Sequence, residues 1–506
     1  MKRGGHERVK SPLRASTISD MPVPIRGVQY SFAPRLGPEW GSGGIFGLKH
    51  QRGVLFYDLA FEAEAHFVTK DGDKAYPFDL LGAGPRSGGD TYNAVEAVDD
   101  EIYFGGWVHS PAVYNGRRNA GGTISFRNKF SHLHAYDIKE QKVRLLWADS
   151  IGSETEWAGE VSEIVHDPVS DRLIMARGDG HANLGIFAAD RRKGTLDRLS
   201  ELPSLKGTHF LDYMCFDVKK DWTKGMEGIQ TLDLVTGKWA VTPLDYGSIS
   251  IDGGSVRSPL PGCATSAYSN LFFFIHGGVV VGDPVDAPNE MRFLRLFDFK
   301  TPYAPTRTMA KPVLGGVMVG FNAYSHGSRR PGSGPDSSPI AGPSVILYIT
   351  PPQVRIVGAF GARITGFENV GGELFVAASN EANLGSGDAT PIDTGYRELA
   401  TFDLGQLLRA SPPATFHGLG SQVGVEVWGG IPLDGYLSPE LLCDATMANK
   451  LTIHEYHLSL PVGSARREVF ELKPGRNRLD LSSFHGIVSF ELARTDVGSD
   501  FWVTLK

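Results

Sequence analysis

Apolar and polar positions alternate over short stretches of this chain, and helical spacing is almost absent. Runs rich in Val, Ile, Phe and Tyr are bounded by Gly, Pro, Asp and Asn, the residues that end strands and form turns. The runs recur in a fixed order. An apolar strand closes on an aromatic or aliphatic residue followed by Asp, a turn follows, and a second apolar strand returns. Clear instances are LHAYDIKEQKVRLLW (133–147), GIFAADRRKGTLDRL (185–199), GIQTLDLVTGKWAV (228–241) and FLRLFDFKTPYAPTRTM (293–309). SVILYITPPQVRIVGAF (344–360) has Thr350 in place of the Asp, and ELATFDLGQLL (398–408) supplies the first half. EAHFVTKDGDKAYPFDL (64–80) is the loosest match.

About seven units of roughly 40–60 residues, with no helix between strands, predict a β-propeller. Each unit is a four-stranded antiparallel sheet, and the repeated pattern is its outer pair of strands. The Asp that ends the third strand is expected to accept backbone N–H bonds in its turn, so it carries no chemistry. The inner pairs precede the pattern, as in YNAVEAVDDEIYFGGWV (92–108), GEVSEIVHDPVSDRLIMARG (159–178), GCATSAYSNLFFFIHGG (262–278) and ARITGFENVGGELFVAAS (362–379). The predicted fold is all-β: an N-terminal extension (1–26), a seven-bladed β-propeller (27–410), a linker (411–422) and a small C-terminal β-sandwich-like domain (423–506).

Loop length then separates the two faces of the propeller. Second-to-third-strand loops at 109–130, 279–290, 326–343 and 380–396, with the connectors 148–158 and 244–261, are long and belong to one face. The opposite face has mostly short turns. Long loops in a compact fold are costly to order and usually carry function, so the long-loop face is the expected working surface.

Composition narrows the classes. With 506 residues, 41% hydrophobic and 21% charged, the chain is globular and large enough for a repeat fold plus one more domain. A net charge of −7 argues against a general nucleic-acid binder. Cys215, Cys263 and Cys443 form no CxxC pair, which removes zinc-ribbon and thioredoxin readings and suggests a reducing compartment. The N-terminal MKRGGHERVKSPLRASTISDMPVP lacks an apolar core, and no run reaches the ~18 apolar residues of a membrane helix. The expectation is a cytoplasmic protein with a small-molecule ligand and neither nucleic acid nor membrane as partner.

Candidate chemistry collects on the long-loop face. His109, His181, His209, His276 and His326 are assigned there, one to each of five blades. Imidazole is the commonest metal ligand, so His109, His181, His209 and His276 are candidates for holding one divalent metal ion. The competing reading is that isolated histidines cap loops. Among first-strand residues, Glu160 is a candidate general base or metal ligand, and Asn93 and Arg363 are candidate ligand-binding groups. The segment RGDGHANLG (177–185) brings Asp179, His181 and Asn183 together between glycines. With Glu160, Asp179 and His181 form the candidate catalytic set; a glycine-dependent turn is the alternative. Trp107 and Trp157 are positioned to stack on a sugar ring or to pack the rim. No GxSxG elbow occurs, and Cys263 reads as a small buried thiol before a nucleophile.

The run EIVHDPVSDRLIMARGDGHANLGIFAADRRKG (163–194) resembles a family of uncharacterised archaeal propeller proteins, domain of unknown function 2139. The resemblance implies a propeller from a thermophilic archaeon and no assigned activity, so it carries no catalytic residue to this chain. The expected function is binding or processing of a small molecule, a sugar or lactone, at the long-loop face with metal assistance. The alternatives are a protein-interaction scaffold, or a structural protein that self-assembles through its C-terminal domain as a homo-oligomer.

Overall fold

A computed structural model describes residues 28–31 and 45–506, apart from 60–62, 79–88, 92, 109–112, 116–122, 126–128, 157–158, 180–181, 183, 220–224, 247–260, 302, 324–340, 380–393 and 464–465. Almost every described element is a strand, because period-two apolar runs bury one or both faces of a sheet and cannot do so as helices.

Consecutive strands form antiparallel sheets in chain order. The first sheet is β2 (Ile45–Gln51), β3 (Val54–Leu59), β4 (Glu64–Thr69) and β5 (Gly72–Pro77). In the second, β6 (Gly89–Asp90) and β7 (Val95–Val98) both pair with β8 (Glu101–Val108), followed by β11 (Phe130–Asp137) and β12 (Lys142–Asp149). A separate hairpin of β9 (Val113–Asn115) and β10 (Thr123–Ser125) lies between β8 and β11 in the chain. The third is β13 (Glu160–Asp167), β14 (Arg172–Asp179), β15 (Ile186–Asp190) and β16 (Leu196–Ser200). The fourth is β17 (Gly207–Phe210), β18 (Tyr213–Lys219), β19 (Met226–Asp233) and β20 (Trp239–Pro243). The fifth is β21 (Pro261–Ala267), β22 (Asn270–Ile275), β23 (Gly278–Gly282) and β24 (Arg292–Arg295). The sixth is β25 (Ala310–Val313), β26 (Gly316–Phe321), β27 (Ser344–Thr350) and β28 (Gln353–Phe360). The last comprises β29 (Arg363–Val370), β30 (Glu373–Ser379) and β31 (Thr394–Asp403), and its fourth strand is β1 (Val28–Ser31), from the other end of the chain.

First strands meet around a closed cycle. β2 touches β7, β7 touches β13, and β17 and β21 follow; β21 touches β25, β26 of that sheet touches β29, and β29 touches β2. This is a β-propeller, with apolar clusters filling the space between successive sheets. The repeated Asp behaves as a turn residue: Asp137, Asp190 and Asp233 each accept two backbone N–H bonds from the residues two and three positions on.

After β31, helix α1 (Leu404–Leu407), capped by Asp403, leads to two further four-stranded sheets. One is β32 (Ala414–Leu419), β39 (Asp500–Leu505), β34 (Glu440–Ala445) and β37 (Gly475–Asp480). The other is β33 (Trp428–Pro432), β38 (Ile487–Leu492), β35 (Asn449–Tyr456) and β36 (Arg466–Leu472). They share one apolar cluster with the fifth and sixth propeller sheets. Phe297, Phe299, Tyr303, Phe416 and Trp428 pack there, and Trp428 Nε1 donates to the Phe299 carbonyl at 3.2 Å.

Three sequence expectations change. The predicted linker 411–422 contains β32, whose buried Phe416 alternates with outward neighbours, so the C-terminal sheets begin earlier. The segment 279–290 is not a long second-to-third-strand loop. β22 and β23 are joined by His276 and Gly277, with Gly277 at φ +84°, and the longer stretch 283–291 joins β23 to β24 at the opposite end. The run FLRLFDF therefore supplies only one outer strand, β24, and then turns toward β33, where Asp298 bridges Gly429. Cys215, Cys263 and Cys443 are free and buried. Among the described residues, no helix is long and apolar enough to cross a membrane.

Candidate functional site

First strands start, and second strands finish, at one end of the propeller, called here the loop-bearing end. The short hairpin turns lie at the other. Among the described residues between 45 and 403, twelve charged side chains are less than 9% exposed, and ten of them lie at the loop-bearing end: Asp58, Lys129, Glu160, Arg177, Lys206, Asp217, Lys219, Arg295, Asp298 and Arg363. Only Asp167 and Arg191 lie at the other. Burying an ion costs several kcal/mol unless it is paired and hydrogen-bonded, so the partners at this end define what it can do.

Between the second and third sheets, Lys129 Nζ pairs with Glu160 Oε1 and sits 4.5 Å from the Trp107 ring centre. Arg177, at the end of β14, donates to the Gly159 carbonyl, pairs with Asp149 at 3.1 Å and stacks over Trp147. Between the third and fourth, Lys219 Nζ donates to the Gly178 carbonyl at 2.8 Å, and Lys206 Nζ to the Ser162 carbonyl at 2.5 Å. Asp217 accepts from the backbone N–H groups of Leu205 and Lys206. Burial pushes its carboxyl above the ordinary range, and these donors and Lys219 pull the other way.

The axis is lined below this layer by ion pairs that link successive first strands. Lys49 pairs with Glu96 at 2.6 Å, Lys206 lies 3.6 Å from Glu163, and Lys311 pairs with Glu368. Burial raises the Glu163 carboxyl and lowers the Lys311 ammonium, in each case against the pull of its partner.

The expected site residues fall into three groups. Glu160, Trp107 and Arg363 reach the loop-bearing end. Glu160 and Trp107 belong to the Lys129 cluster, and Arg363 is buried beside the Phe46 ring, 5.9 Å away. Asn93 is also there, but its amide clamps backbone. Oδ1 accepts from Gly47 N at 2.7 Å, and Nδ2 donates to the Thr365 and Thr308 carbonyls, so one side chain ties the second sheet to the first, sixth and last. Both amide hydrogens are used, which leaves it little for a ligand. His209 is two residues from the β17–β18 turn, at the opposite end of the sheets from His276. The expectation that both sit on the long-loop face fails because β17 has only four residues and His209 is its third. His276 Nε2 donates to the Thr301 carbonyl at 2.8 Å.

His109, Trp157, His181, Asn183 and His326 lie outside the described residues, as does the side chain of Asp179. Among the described residues, no three His, Cys, Asp or Glu side chains gather as metal ligands. Of RGDGHANLG, the described glycines answer to packing. A Cβ on Gly178 would stand 1.7 Å from the Ser204 carbonyl oxygen, and one on Gly185, at φ +85°, 2.1 Å from that of Ser200. Burial holds the Cys263 thiol well above its usual range, which makes it a poor nucleophile.

A model of the family described as an uncharacterized protein conserved in archaea (DUF2139) matches residues 55–387. The chain belongs to this family. The match takes in the charged layer from Asp58 to Arg363 and stops before the two C-terminal sheets. No curated protein matches the chain in sequence. Among solved structures, the chain is similar to the β-propeller domain of the trilobed protease from Pyrococcus furiosus, at 10% identity and a TM-score of 0.38, over 71% of this chain and 96% of that one. It is also similar to Sqt1 of Saccharomyces cerevisiae, at 8% and 0.38, over 72% and 97%. A streptogramin B lyase gives 13% and 0.36, over 74% and 97%.

The family fold brings in residues that sequence reasoning passed over: Asp58, Lys129, Lys206, Asp217 and Lys219. Asp58 was signalled as a single charge in the apolar run VLFYDL (54–59), and Asp217 and Lys219 as charges alternating with apolar residues in MCFDVK (214–219), whereas Lys129 and Lys206 lie just outside such runs and gave no such signal. A lone charge at the end of a buried strand marks a paired ion or a site wall.

Proposed function

We propose that the chain is a seven-bladed β-propeller with a small C-terminal β-sandwich, and that its loop-bearing end binds a small polar molecule carrying an anionic group. Seven sheets in the cycle, the last with β1 as its fourth strand, support the seven-bladed reading. The observation that carries the reading is the charged layer itself: among the described propeller residues, ten of twelve buried charges lie at one end. Six of the ten are cationic (Lys129, Arg177, Lys206, Lys219, Arg295 and Arg363), and four are carboxylates, with Asp149 and Glu163 at the margin pairing two of the cations. A fixed floor of oriented, buried cations can hold a carboxylate or phosphate group with little reorganisation when it binds. Trp107, under Lys129, adds an aromatic wall suited to a sugar or lactone ring.

The test is a thermal-shift and equilibrium-dialysis series with aldoses, aldonic acids and their lactones on the full chain. We expect saturable binding of at least one hydroxylated carboxylate, with the neutral aldoses weaker. It should be lost in the Lys129→Met/Glu160→Leu double variant, which removes both charges together and keeps the fold. Binding unchanged in that variant, or absent across the series, overturns the reading. Metal assistance would rest on His109 and His181; stoichiometric metal in untagged protein, absent from His109→Ala/His181→Ala, supports it, and metal-free wild type removes it.

A further inference from the structure

The short-turn end presents a different surface. Three neighbouring blades put a large apolar residue first in the turn between their first two strands: Leu211, Tyr268 and Leu314. They are 52%, 43% and 69% exposed. All three have left-handed backbone, at φ 52°, 53° and 45°. Such turns favour Asn, Asp or Gly, because a bulky Cβ clashes with the neighbouring carbonyl there. The same position holds Arg52, Asp99 and Gly371 in other blades. Folding alone gives no reason for paying both backbone strain and apolar exposure three times in succession. Strain of this kind collects at binding surfaces, and exposed apolar residues that cluster rather than scatter mark them.

The three residues form a continuous arc. Tyr268 Oη donates to the Gly315 carbonyl in the next turn, and Ser266 Oγ donates to the His209 carbonyl at 2.8 Å, so adjacent blades meet at this level. Val235, 74% exposed, extends the arc outward on Leu211's blade. Its surroundings are acidic. Asp212, Asp233, Asp283 and Asp286 gather around Tyr213, with Glu290 beyond, against Lys238 and Arg292. Asp233 and Asp283 also accept turn N–H groups, which holds them in place.

We propose that this arc is a docking surface for a partner-protein segment that carries aliphatic or aromatic side chains flanked by lysine or arginine. The apolar residues fill against Leu211, Tyr268 and Leu314, and the flanking cations meet the aspartates. This is independent of ligand binding at the loop-bearing end.

The experiment uses the full chain and two labelled probes: a peptide of alternating leucine and lysine, and its leucine–glutamate counterpart. Fluorescence anisotropy at physiological salt should give saturable binding of the lysine peptide and about tenfold or more weaker binding of the glutamate peptide. Leu211→Asn/Leu314→Asn should lose about tenfold or more of that affinity, with a Tm at or above wild type, since Asn suits both turns. A merely structural role cannot yield a variant that is as stable yet no longer binds. Equal binding of the two peptides, unchanged binding by the variant, or no binding overturns the proposal. So does a wild-type dimer that the variant abolishes, which would assign the arc to a second copy of the chain. Binding seen only after Lys2, Arg3, Arg8, Lys10 and Arg14 are changed to Ser would assign it to the chain's own N-terminus.

Discussion

At the loop-bearing end of the propeller, charges are buried and paired; at the short-turn end most described charges stay wet while apolar residues are exposed. The two ends are built from the same strands, so the contrast does not come from fold. Lys129–Glu160 has both side chains about 5% exposed. Its counterpart at the short-turn end is Arg191, which reaches Asp171, Asp99 and Glu101, but Asp99 and Asp171 are 64% and 48% exposed. One end holds fixed charge in a low-dielectric setting, where it can act on a ligand. The other spends its charge in water, where it steers and screens. The difference teaches that loop length alone was an incomplete guide to function, because a short, strained turn can be as telling as a long loop.

The comparison can be broken most sharply at Lys129. Lys129→Met strands the Glu160 carboxylate in a dry site and is expected to cost about 3–5 kcal/mol in urea unfolding, with most of it returned by adding Glu160→Leu. A cost under about 1 kcal/mol would mean that the pair is wet, and the contrast between ends would fail. Next comes Asn93→Ala. It abandons three backbone partners and puts alanine at φ 62°, for an expected loss of about 3 kcal/mol by the same measurement.

A pH titration of stability sharpens the picture between the ends. His66 is held between Asp73 and Glu64, which outweigh burial and raise it to about 8. Its contribution, about 2 kcal/mol, is complete below pH 6.5 and disappears as pH rises through 8. Buried His134 is lowered to about 3 by desolvation, and its Nδ1 lies 3.0 Å from that of His132. Folding therefore favours its neutral form, and stability falls as pH drops from 6.5 toward 3. Urea midpoints should peak near pH 6.5; His66→Gln should flatten the alkaline limb and His134→Phe the acid one. The smallest effect is expected at Arg191→Ala, about 1 kcal/mol and diminished by salt, because most of its partners are solvated.

Much of the propeller was legible in the chain. Outer hairpins such as 133–147 and 228–241 announce themselves, because a strand-ending Asp with two turn N–H bonds is a local device. Long-range closure was not legible. β1 pairs with a strand more than 360 residues away, and nothing in VQYS specifies that partner. The fifth blade misled because Gly277 makes a two-residue turn inside what reads as one apolar run. In the candidate site, Glu160 and Trp107 could be picked out from their place in a strand, but the Lys129 that joins them could not, since its partner lies across a blade boundary. Asn93 looked like a ligand-binding group because a short polar side chain at a strand start has the same appearance whether it faces a ligand or three backbones.

β1 has one more implication, which concerns order in time. The first described strand is the last that the ring can use, because its neighbour β31 emerges only after every other described strand of the ring. Until then β31's future position is empty and β1 has no mate, so the circle cannot close on the ribosome before residue 403 is free. A nascent chain halted short of that point would carry an open rim at each end, the kind of unpaired strand edge that recruits other chains. The clasp that closes the finished ring thus makes the unfinished one depend on rapid completion.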